Sequence, residues 1–427
     1  MLDPRTLVER RDEIAESCRK RRVEVDLDAL AAARENVTEL TTALNEKNRE
    51  RNEHQKAGKR KLEPADREAH LAAGRLLKEE VAALEQRLRE SREAFDGQML
   101  ELPNFIHPEV PEGGEDDYRQ LHTWGEIPHF DFEPRDHLAI CEKCDLVDFE
   151  SGAKVAGQKF YYLKNEAALL DIALQRFALD IAMQAGFVPH VTPDLARPEV
   201  VSGMGFNPRG EETQIYSIAN ADLCLVGTAE ITLGGLHADT ILDEEELPIR
   251  LAGVSHCFRT EAGAHGRESR GLYRVHQFTK VEMFAFTRPE DSETMHAEML
   301  AIEERIFQAL ELPYQVIDVA SGDLGAPAYR KFDIEAWMPG RGEGGGWGEV
   351  TSTSNCTGFQ ARRIGARFRR KGAKKPEMLH TLNGTAVANT RAILALLEVH
   401  QRADGSVAIP QALQPYMMGC EVIEPRR

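Results

Sequence analysis

Two stretches of apolar residues that repeat at alternating steps of three and four constrain the fold of this chain more than any other feature. The first comprises Leu30, Ala33, Val37, Leu40 and Leu44, and the second comprises Leu77, Val81, Leu84, Leu88 and Phe95. This spacing is typical of coiled coils, in which an apolar stripe on each helix faces the partner helix. We therefore predict two long helices within residues 27–100 that pack against each other.

The polar segment between the two repeats indicates how the helices are connected. Gly58 and Pro64 lie where a turn is needed, so we expect the helices to fold back as an antiparallel hairpin. With about 30 residues per helix at ~1.5 Å each, this hairpin would form an arm roughly 45 Å long.

The tip of the arm, residues 45–61, is basic. It contains seven lysines and arginines against three glutamates, in a chain whose formal net charge is −18. A solvated charged turn is one interpretation. An arm that holds basic side chains far from the body is better explained by binding of a polyanion such as RNA. The residues that we predict to contact RNA are Arg49, Arg51, Lys56, Lys59 and Arg60.

Length and composition exclude several classes of protein. With 427 residues, of which 42% are hydrophobic and 29% charged, the chain suits two or three globular domains and not a disordered or fibrous protein. Its most apolar stretch, residues 169–183, is interrupted by charged residues, so we predict no membrane helix. The start lacks a secretory signal, and seven scattered cysteines form no disulfide framework. We expect a cytoplasmic protein without membrane association.

The pattern of breakers and strand-like runs predicts the domain organisation. Proline, glycine and acidic residues in 103–117 indicate a linker between an N-terminal domain, 1–102, and a larger domain, 118–427. In the larger domain, strand-like runs follow one another with few helices between them, which favours an α+β fold with an antiparallel sheet. The pattern GxxxxGK(S/T) does not occur, so this common nucleotide-binding loop is absent from the sequence.

The strongest chemical signal lies in residues 257–286, where two strand-like runs flank a polar loop. An arginine beside a carboxylate is usually a plain salt bridge, but this segment has more guanidinium groups than a salt bridge needs. The planar guanidinium group suits a phosphate ligand. We therefore predict a phosphate-binding hairpin that carries Arg259, Arg267, Arg270 and Arg274.

This hairpin resembles motif 2 of class II aminoacyl-tRNA synthetases, in the form found in the seryl-tRNA synthetase family. The resemblance rests on FRTE at residues 258–261 and RVHQFTKVE at residues 274–282. Residues 166–193 resemble motif 1, and residues 382–399, which begin LNGTA, resemble motif 3. Two segments typical of the seryl branch are GTAE at 227–230, and EVTSTSN at 349–355 followed by FQARR. With the N-terminal hairpin, the resemblance covers essentially the whole chain.

The resemblance implies a class II synthetase antiparallel sheet with flanking helices, together with an all-α antiparallel coiled-coil arm. It also implies a homodimer formed through motif 1, ATP and Mg²⁺ as cofactors, and no structural zinc. The implied reaction activates L-serine as seryl-adenylate and transfers serine to the 3′ hydroxyl of the terminal adenosine of tRNA(Ser). Where tRNA(Sec) is present, it is a further implied substrate.

The resemblance assigns the catalytic and ATP-binding roles to motifs 2 and 3. Arg259 and Arg391 are the implied catalytic residues, since Arg259 would bind the α-phosphate and Arg391 the γ-phosphate. Glu261 would read the adenine amino group, and Phe278 would stack on the purine. The metal ligands would be Glu349 and Ser352, which offer the hard oxygen atoms that Mg²⁺ prefers. The implied ATP-binding residues are Arg259, Thr260, Glu261, Arg274, Val275, Phe278, Glu349, Val350, Thr351, Ser352 and Arg391.

The resemblance likewise implies a pocket for serine. Glu282 would accept the serine hydroxyl, Thr228 and Glu230 would help to hold the amino group, and Thr385 would close the pocket. A site that pairs a hydroxyl rejects alanine, because a buried polar group would be left unsatisfied. Asn383 is either part of this pocket or only the cap of the motif 3 helix. The implied serine-binding residues are Thr228, Ala229, Glu230, Arg259, Glu282, Asn383 and Thr385.

Three other segments are better explained by structure than by chemistry. Cys141 and Cys144 have a metal-like spacing but no second pair at a suitable distance. The glycine-rich run 340–348 suits a connection between strands. The basic run 362–375 is either a solvated face or a further RNA contact.

The sequence leaves alternatives to the seryl reaction open. One is a paralogue that activates another small amino acid for a carrier protein, and another is an inhibitor-resistant second copy. A catalytically inactive RNA-binding paralogue is disfavoured by the intact Arg259, Glu261, Glu349 and Arg391.

Overall fold

The computed structural model describes residues 1–58, 63–206, 214–262 and 271–426. The chain divides into two compact units, Met1–Phe105 and Ile106–Arg427. The boundary lies within the segment predicted as a linker. In the second unit, residues that follow the boundary are packed: Val110 is buried with Ile317 and Val319, and the Ser321 N–H donates to the Pro111 carbonyl at 2.9 Å.

In the part of the first unit that the structure describes, the regular elements are all helices. Its helices are α1, Thr6–Glu9; α2, Arg11–Arg21; α3, Leu27–Ala57; and α4, Pro64–Glu101. Asp26 caps α3, because its carboxylate accepts the N–H groups of Asp28 and Ala29 at 3.0 and 2.9 Å. Pro64 is the first residue of α4, where its missing N–H costs no hydrogen bond.

Helices α3 and α4 form the predicted antiparallel hairpin. Cross-helix contacts pair Asn36 with Ser91, Lys47 with Glu80, and His54 with His70, so residue numbers rise along one helix as they fall along the other. The buried seam uses members of both apolar repeats, namely Leu30, Leu40, Val81, Leu88 and Phe95. A seam one side chain wide explains why long, otherwise polar helices stay paired.

Helix α3 extends further than the sequence pattern suggested. The polar segment expected to begin the turn remains helical to Ala57, because lysine, arginine and glutamate are good helix formers. A Lys47–Glu50 ion pair at 2.9 Å supports the helix at this point. Arg49 and Lys56 are exposed and Arg51 is partly buried. Lys59 and Arg60 lie outside the described residues.

The second unit has an α+β fold. Its helices are α5, His137–Cys144; α6, Phe149–Ala156; α7, Asn165–Gln184; α8, Pro198–Gly203; α9, Ala229–Gly235; α10, Ser292–Ala309; α11, Phe359–Arg363; and α12, Asn389–Val399. Its strands are β1, Arg119–Trp124; β2, Val147–Asp148; β3, Tyr162–Leu163; β4, Val188–Val191; β5, Leu195–Ala196; β6, Cys224–Leu225; β7, Ile241–Asp243; β8, Ile249–Phe258; β9, Gln277–Thr287; β10, Tyr314–Asp318; β11, Arg330–Met338; β12, Gly346–Thr357; β13, Arg367–Arg369; β14, Glu377–Met378; β15, His380–Ala388; β16, Val407–Ala408; and β17, Val422–Ile423.

The main sheet has eight strands in the order β1-β10-β11-β12-β15-β9-β8-β4. Its pairs are antiparallel, as predicted, except for β4 and β8, which pair in parallel at one edge. That exception follows from the long connection between β4 and β8, since parallel neighbours need a crossover and cannot be joined by a tight turn. The predicted α+β class is confirmed.

Both faces of this sheet are covered, and β9 shows how its side chains divide. Met283 and Ala285 point into the core formed with α7, α10 and α12, whereas Phe284 and Phe286 point into the core formed with α8 and α9. Because side chains alternate along a strand, Lys280 and Glu282 share the face of Phe284 and Phe286. The register sets Glu282 opposite Gly253 of β8 and Thr385 of β15. No helix in the described ranges is both long and apolar enough to span a bilayer.

Candidate active site

One cleft on the main sheet brings together most of the side chains predicted to bind ATP. Strands β9, β12 and β15, the start of α12, and the segments that follow β8 and precede β9 supply them. The predicted residues that line it are Arg259, Glu261, Arg274, Val275, Phe278, Glu349, Val350, Thr351, Thr385 and Arg391. A second cleft of about 270 Å³ shares Tyr273, Arg274, Glu349 and Arg391 with the first.

Arg259 follows the end of β8 and is fixed by its surroundings. Its Nε donates to the Gly227 carbonyl at 3.3 Å, and its backbone N–H donates to the His276 carbonyl at 3.0 Å. The guanidinium lies 5.3 Å from the centre of the Phe278 ring, within cation–π range. The side chain is therefore held between the GTAE segment and β9 before any ligand arrives.

Glu261 and Arg274 form an ion pair at 3.2 Å across the base of the motif 2 loop. Glu261 has a φ of 53°, a left-handed conformation that non-glycine residues rarely adopt and that often marks a functional site. Thr260 is also placed here, and its N–H donates to the Gln214 carbonyl at 3.1 Å. Arg267 and Arg270 fall outside the described residues.

Arg391, at the start of α12, is paired with Glu349 of β12. One guanidinium nitrogen lies 3.0 Å from the Glu349 carboxylate and 3.0 Å from its backbone carbonyl. Partial burial opposes the charge of Glu349, but Arg391 and Lys331 outweigh it, so the pKa of Glu349 lies below its ordinary value. Glu349 is therefore a carboxylate at neutral pH.

The residues beside Glu349 fit a magnesium ion. Ser352 pairs in register with Asp333 of the neighbouring strand β11. Among the described residues, the buried Oδ1 of Asp333 has no hydrogen-bond partner. Burial raises the pKa of Asp333 to about 7, although the ammonium of Lys331 opposes the shift. Glu349 and Asp333 line the second cleft, and Ser352 lies opposite Asp333. All three offer hard oxygen atoms, the ligand type that magnesium prefers.

Beside the ATP cleft, and sharing Lys280 and Thr385 with it, lies a group of buried polar side chains around Glu282, which we call the polar pocket. Glu282 is fully buried and forms an ion pair with Lys280, two residues away on the same face of β9. Thr385 donates its hydroxyl to Glu282 at 3.4 Å and accepts from Lys280 at 3.4 Å. Gly253, opposite Glu282, leaves no room for a larger residue, since a Cβ there would approach Leu233 at 2.9 Å and Ala229 at 3.1 Å.

Glu230 forms the other wall of the polar pocket. Thr228 caps α9 by accepting the Glu230 N–H at 3.1 Å, and Ala229 is buried beside it. The Glu230 carboxylate accepts from Gln360 at 2.7 Å and from Asn383 at 3.0 Å. Burial, and then the charge of Glu282, raise the pKa of Glu230 to about 7.

The contact with Glu230 decides one alternative for Asn383. Asn383 lies within β15, six residues before α12 begins at Asn389, so it is not the cap of that helix. The interpretation as a helix cap is therefore wrong, because β15 continues from Asn383 to Ala388, directly before the motif 3 helix α12.

Several side chains at the site were not predicted. Lys280 had a detectable signal, because it lies two residues before Glu282 and so on the same strand face. Gln360 lies in the quoted FQARR segment, but its contact with Glu230 depends on tertiary structure. Glu303 of α10 gave no signal, because on a charged helix it resembles a solvated side chain. It is fully buried, and burial followed by the charge of Glu282 raises its pKa well above the ordinary value.

The three segments attributed to structure also have defined positions. Burial raises the pKa of the Cys141 thiol to about 12. Within the described ranges, no three His, Cys, Asp or Glu side chains are grouped to hold a metal. The glycine-rich run connects β11 to β12. In the basic run, Arg370 pairs with Glu290 at 2.7 Å and with Glu377 at 2.9 Å, which favours a structural role for that residue.

Comparisons with known proteins agree with this geometry. Residues 1–106 match the model of the seryl-tRNA synthetase N-terminal domain, and residues 215–400 match the tRNA synthetase class II core domain (G, H, P, S and T). A serine–tRNA ligase of Rubrobacter xylanophilus is 52% identical over 428 residues, covering 100% of both chains. The chain belongs to the seryl-tRNA synthetase family.

Two solved seryl-tRNA synthetase structures extend the likeness to three dimensions. That of Pyrococcus horikoshii, complexed with ATP, is 39% identical, covers 100% of both chains and has a TM-score of 0.91. The cytoplasmic serine–tRNA ligase of Naegleria fowleri, in complex with AMP, is 30% identical with a TM-score of 0.87, and the match covers 100% of this chain and 99% of that one. The N-terminal helical arm and the segment that resembles motif 2 therefore both lie in regions that match this synthetase family.

Glu303 generates a prediction about stability. In an unfolded chain a glutamate has a pKa of ~4.3 and is ionised at higher pH. In the folded protein the raised pKa favours the protonated form of Glu303. The folded state then binds more protons, so this residue's contribution to stability is present at low pH and lost as pH rises. Glu303→Gln has no proton to lose, and we expect its melting temperature relative to wild type to increase from pH 5 to pH 8.

The control is Glu293→Gln, an exposed position on the same helix. Its melting curves should stay parallel to wild type, because an exposed carboxyl has similar surroundings in both states. Parallel curves for Glu303→Gln as well would show that Glu303 is ionised in the folded protein.

Proposed function

We propose that this member of the seryl-tRNA synthetase family activates L-serine with ATP and transfers it to the 3′ end of tRNA(Ser). The observation that carries the proposal is the juxtaposition, on one sheet face, of a hydroxyl-pairing pocket and a guanidinium-lined cleft. Glu282 and Thr385 define the pocket, and Arg259 and Arg391 line the cleft. A small amino acid bound in the pocket and a nucleoside triphosphate bound in the cleft would meet at Arg259.

Activation needs positioning and charge stabilisation, and no nucleophilic side chain. The carboxylate of serine would attack the α-phosphorus, forming the acyl phosphate bond as the bond to pyrophosphate breaks. Arg259 is held by Gly227 and Phe278 and would stabilise the negative charge that develops on the α-phosphate. Arg391 would bind the γ-phosphate and Arg274 the neighbouring phosphates, while Glu261 and Phe278 would hold the adenine.

A magnesium ion would be held by Glu349 and Ser352, with Asp333 beside them. When bound, it supplies charge neutralisation between the phosphate groups. The low pKa of Glu349 supports this role, because a hard cation binds the ionised carboxylate.

Serine selectivity would reside in the polar pocket. Its hydroxyl would donate to Glu282, and its ammonium would lie near Glu230, with Asn383, Thr228 and Ala229 completing the wall. The buried carboxyl groups of Glu230 and Glu282 have one ammonium group of the protein near them, that of Lys280. They therefore favour a cationic ligand, which supplies the missing positive charge. A paralogue that activates an amino acid without a hydroxyl would leave Glu282 without this partner, which counts against that alternative.

The proposal extends to partners. The arm would contact the tRNA through its basic tip, with tRNA(Sec) as a further substrate where it exists. A homodimer through motif 1 is supported by apolar side chains exposed there: Ile172 is 63% and Val191 91% exposed. A cytoplasmic location is supported by the cysteines, all seven of which are free thiols.

The proposed reaction is tested by pyrophosphate exchange with each of the twenty amino acids. We expect exchange with serine well above that with the others. Arg259→Ala should reduce serine-dependent exchange by 10²- to 10³-fold, since one charge-stabilising donor contributes ~3–4 kcal/mol. Arg250→Ala is the matched control, because it removes an arginine of β8, the strand that Arg259 follows. Arg250 pairs with Glu298 at 2.6 Å and does not line the cleft. Equal activity of the two variants would refute the role of Arg259.

Selectivity is tested separately with Glu282→Gln, which keeps the size of the side chain and removes its charge. A hydrogen bond to a charged group contributes ~1.5–3 kcal/mol, so kcat/KM for serine should fall roughly 10- to 150-fold. The value for alanine should change little, because alanine has no hydroxyl to pair. If the serine-to-alanine ratio is unchanged, selectivity resides elsewhere in the pocket.

The arm is tested by reversing the charges of Arg49, Lys56, Lys59 and Arg60 to glutamate. Serine-dependent exchange should stay at the wild-type level, whereas tRNA charging should fall at least tenfold. The salt dependence of tRNA binding should lose about one unit of slope per phosphate contact removed. The control reverses Arg87, Arg89 and Arg92, which are exposed on α4 away from the tip. Similar losses in both variants would argue for general electrostatics in place of a specific tip contact.

A further inference from the structure

A buried carboxylate at the end of α12 connects three separate segments of the second unit. Glu398 is almost completely buried, and its Oε1 accepts the backbone N–H of His137 at 2.9 Å. The same oxygen lies 2.8 Å from Nδ1 of the His137 ring. The other oxygen accepts the Gly340 N–H at 2.7 Å. Glu398 therefore ties the motif 3 helix to α5 and to the β11–β12 connection.

His137 carries this connection on to motif 2. Its Nε2 accepts the backbone N–H of Leu272 at 3.3 Å. A backbone N–H can only donate, so Nε2 must be unprotonated, and the proton of a neutral ring then lies on Nδ1, facing Glu398. The result is a continuous chain of contacts from Glu398 through His137 to Leu272, which we call the Glu398–His137 relay.

Two glycines make this close approach possible. Gly271 has a φ of 63°, and a Cβ at this position would overlap Nε2 of His137. A Cβ at Gly340 would lie 2.8 Å from Oε1 of Glu398. Both ends of the relay thus require residues without a side chain, because any larger residue would separate the hydrogen-bonding groups.

Leu272 immediately precedes two residues of the ATP cleft. Tyr273 lies between two guanidinium groups, at 4.7 Å from Arg391 and 4.8 Å from Arg341. Arg274 pairs with Glu261, as described above. The backbone position of Leu272 therefore sets the ring on which Arg391 rests and the origin of the Arg274 side chain.

Packing and hydrogen bonds act together on this backbone. Leu272 is fully buried in the main core. A cavity of about 230 Å³ lies beside the relay and is lined by Asp136, His137, Tyr273, Arg341 and Glu398, among others. Because Tyr273 borders this cavity, packing constrains it less than a filled core would. The hydrogen bonds of the relay therefore add a constraint to the one that the packing of Leu272 supplies.

We infer that Glu398 and His137 are positioning residues for adenylate formation, which align Tyr273, Arg274 and Arg391 for ATP without touching it. The inference rests on the proposed function for its reaction. It assigns the relay an effect on ATP alone, because the polar pocket around Glu282 receives none of its contacts.

The test compares two substitutions of His137, each of which replaces the hydrogen-bonding group at one of the two ring nitrogens. In His137→Asn the amide nitrogen takes the place of Nδ1 and preserves the contact with Glu398, but the acceptor for Leu272 is lost. In His137→Gln the amide oxygen reaches the place of Nε2 and restores that acceptor. We expect His137→Asn to raise KM for ATP up to about tenfold and to leave KM for serine unchanged, since tenfold corresponds to ~1.4 kcal/mol, the upper part of what one hydrogen bond contributes. His137→Gln should recover most of the loss.

His400→Asn is the matched control. It removes another imidazole contact, from Nε2 to the Leu310 carbonyl at 3.0 Å. His400 follows Glu398 by two residues, but this side-chain contact does not involve Glu398, His137 or Leu272. The substitution should lower the melting temperature by a similar amount and leave both KM values unchanged. Wild-type kinetics in His137→Asn, equal kinetic losses in His137→Asn and His400→Asn, or no recovery in His137→Gln would each overturn the inference.

Direct ATP binding, measured by calorimetry without an amino acid, separates this inference from the proposed function. Weaker ATP binding in His137→Asn supports the relay even if the wild-type protein fails to exchange with serine. Conversely, serine-dependent exchange by wild type together with unaltered ATP binding in His137→Asn refutes the relay and leaves the proposed function intact.

Discussion

The register of β8, β9 and β15 is the constraint on which the active site depends. It sets Glu282 opposite both Gly253 and Thr385. A slip of one residue in β9 would turn Glu282 toward α7 and α10 and bring Met283 into the polar pocket, because adjacent side chains point to opposite faces. Such a slip would bury a carboxylate among apolar residues and expose a core residue. The two hydrophobic cores therefore determine which side chains of β9, the strand between them, point into the polar pocket.

Charge balance is the second feature that links the fold to the site. Glu230, Glu282 and Glu303 are buried close to Lys280, and burial, followed by the charge of Glu282, raises the pKa values of Glu230 and Glu303. In the ATP cleft the balance is opposite, since Arg391 and Lys331 keep Glu349 ionised. On one face of the sheet, the charges of the polar pocket thus favour a cationic ligand, and those of the neighbouring cleft favour phosphate groups.

The sequence predicted the larger features because they are written in local patterns. The paired apolar repeats were sufficient for the hairpin of α3 and α4, and the strand-like runs for the α+β class. Features that depend on tertiary contacts were out of reach. The parallel edge of β4 depends on where a long crossover returns, and the burial of Glu303 depends on which face of α10 meets the sheet. Asn383 shows the same limit, because asparagine is typical of a helix cap and only the structure shows that β15 continues five residues beyond it.

The pKa of Glu230, about 7, has a consequence for ligand binding. Near neutral pH this carboxyl is divided between its protonated and ionised forms. A cation that enters the pocket favours the ionised form, so binding must release a fraction of a proton to the solvent. The heat measured for binding of such a ligand would then depend on the ionisation enthalpy of the buffer. Acidification would weaken the affinity for such a cation without changing any contact, so that cation binding and proton release would be coupled in this pocket.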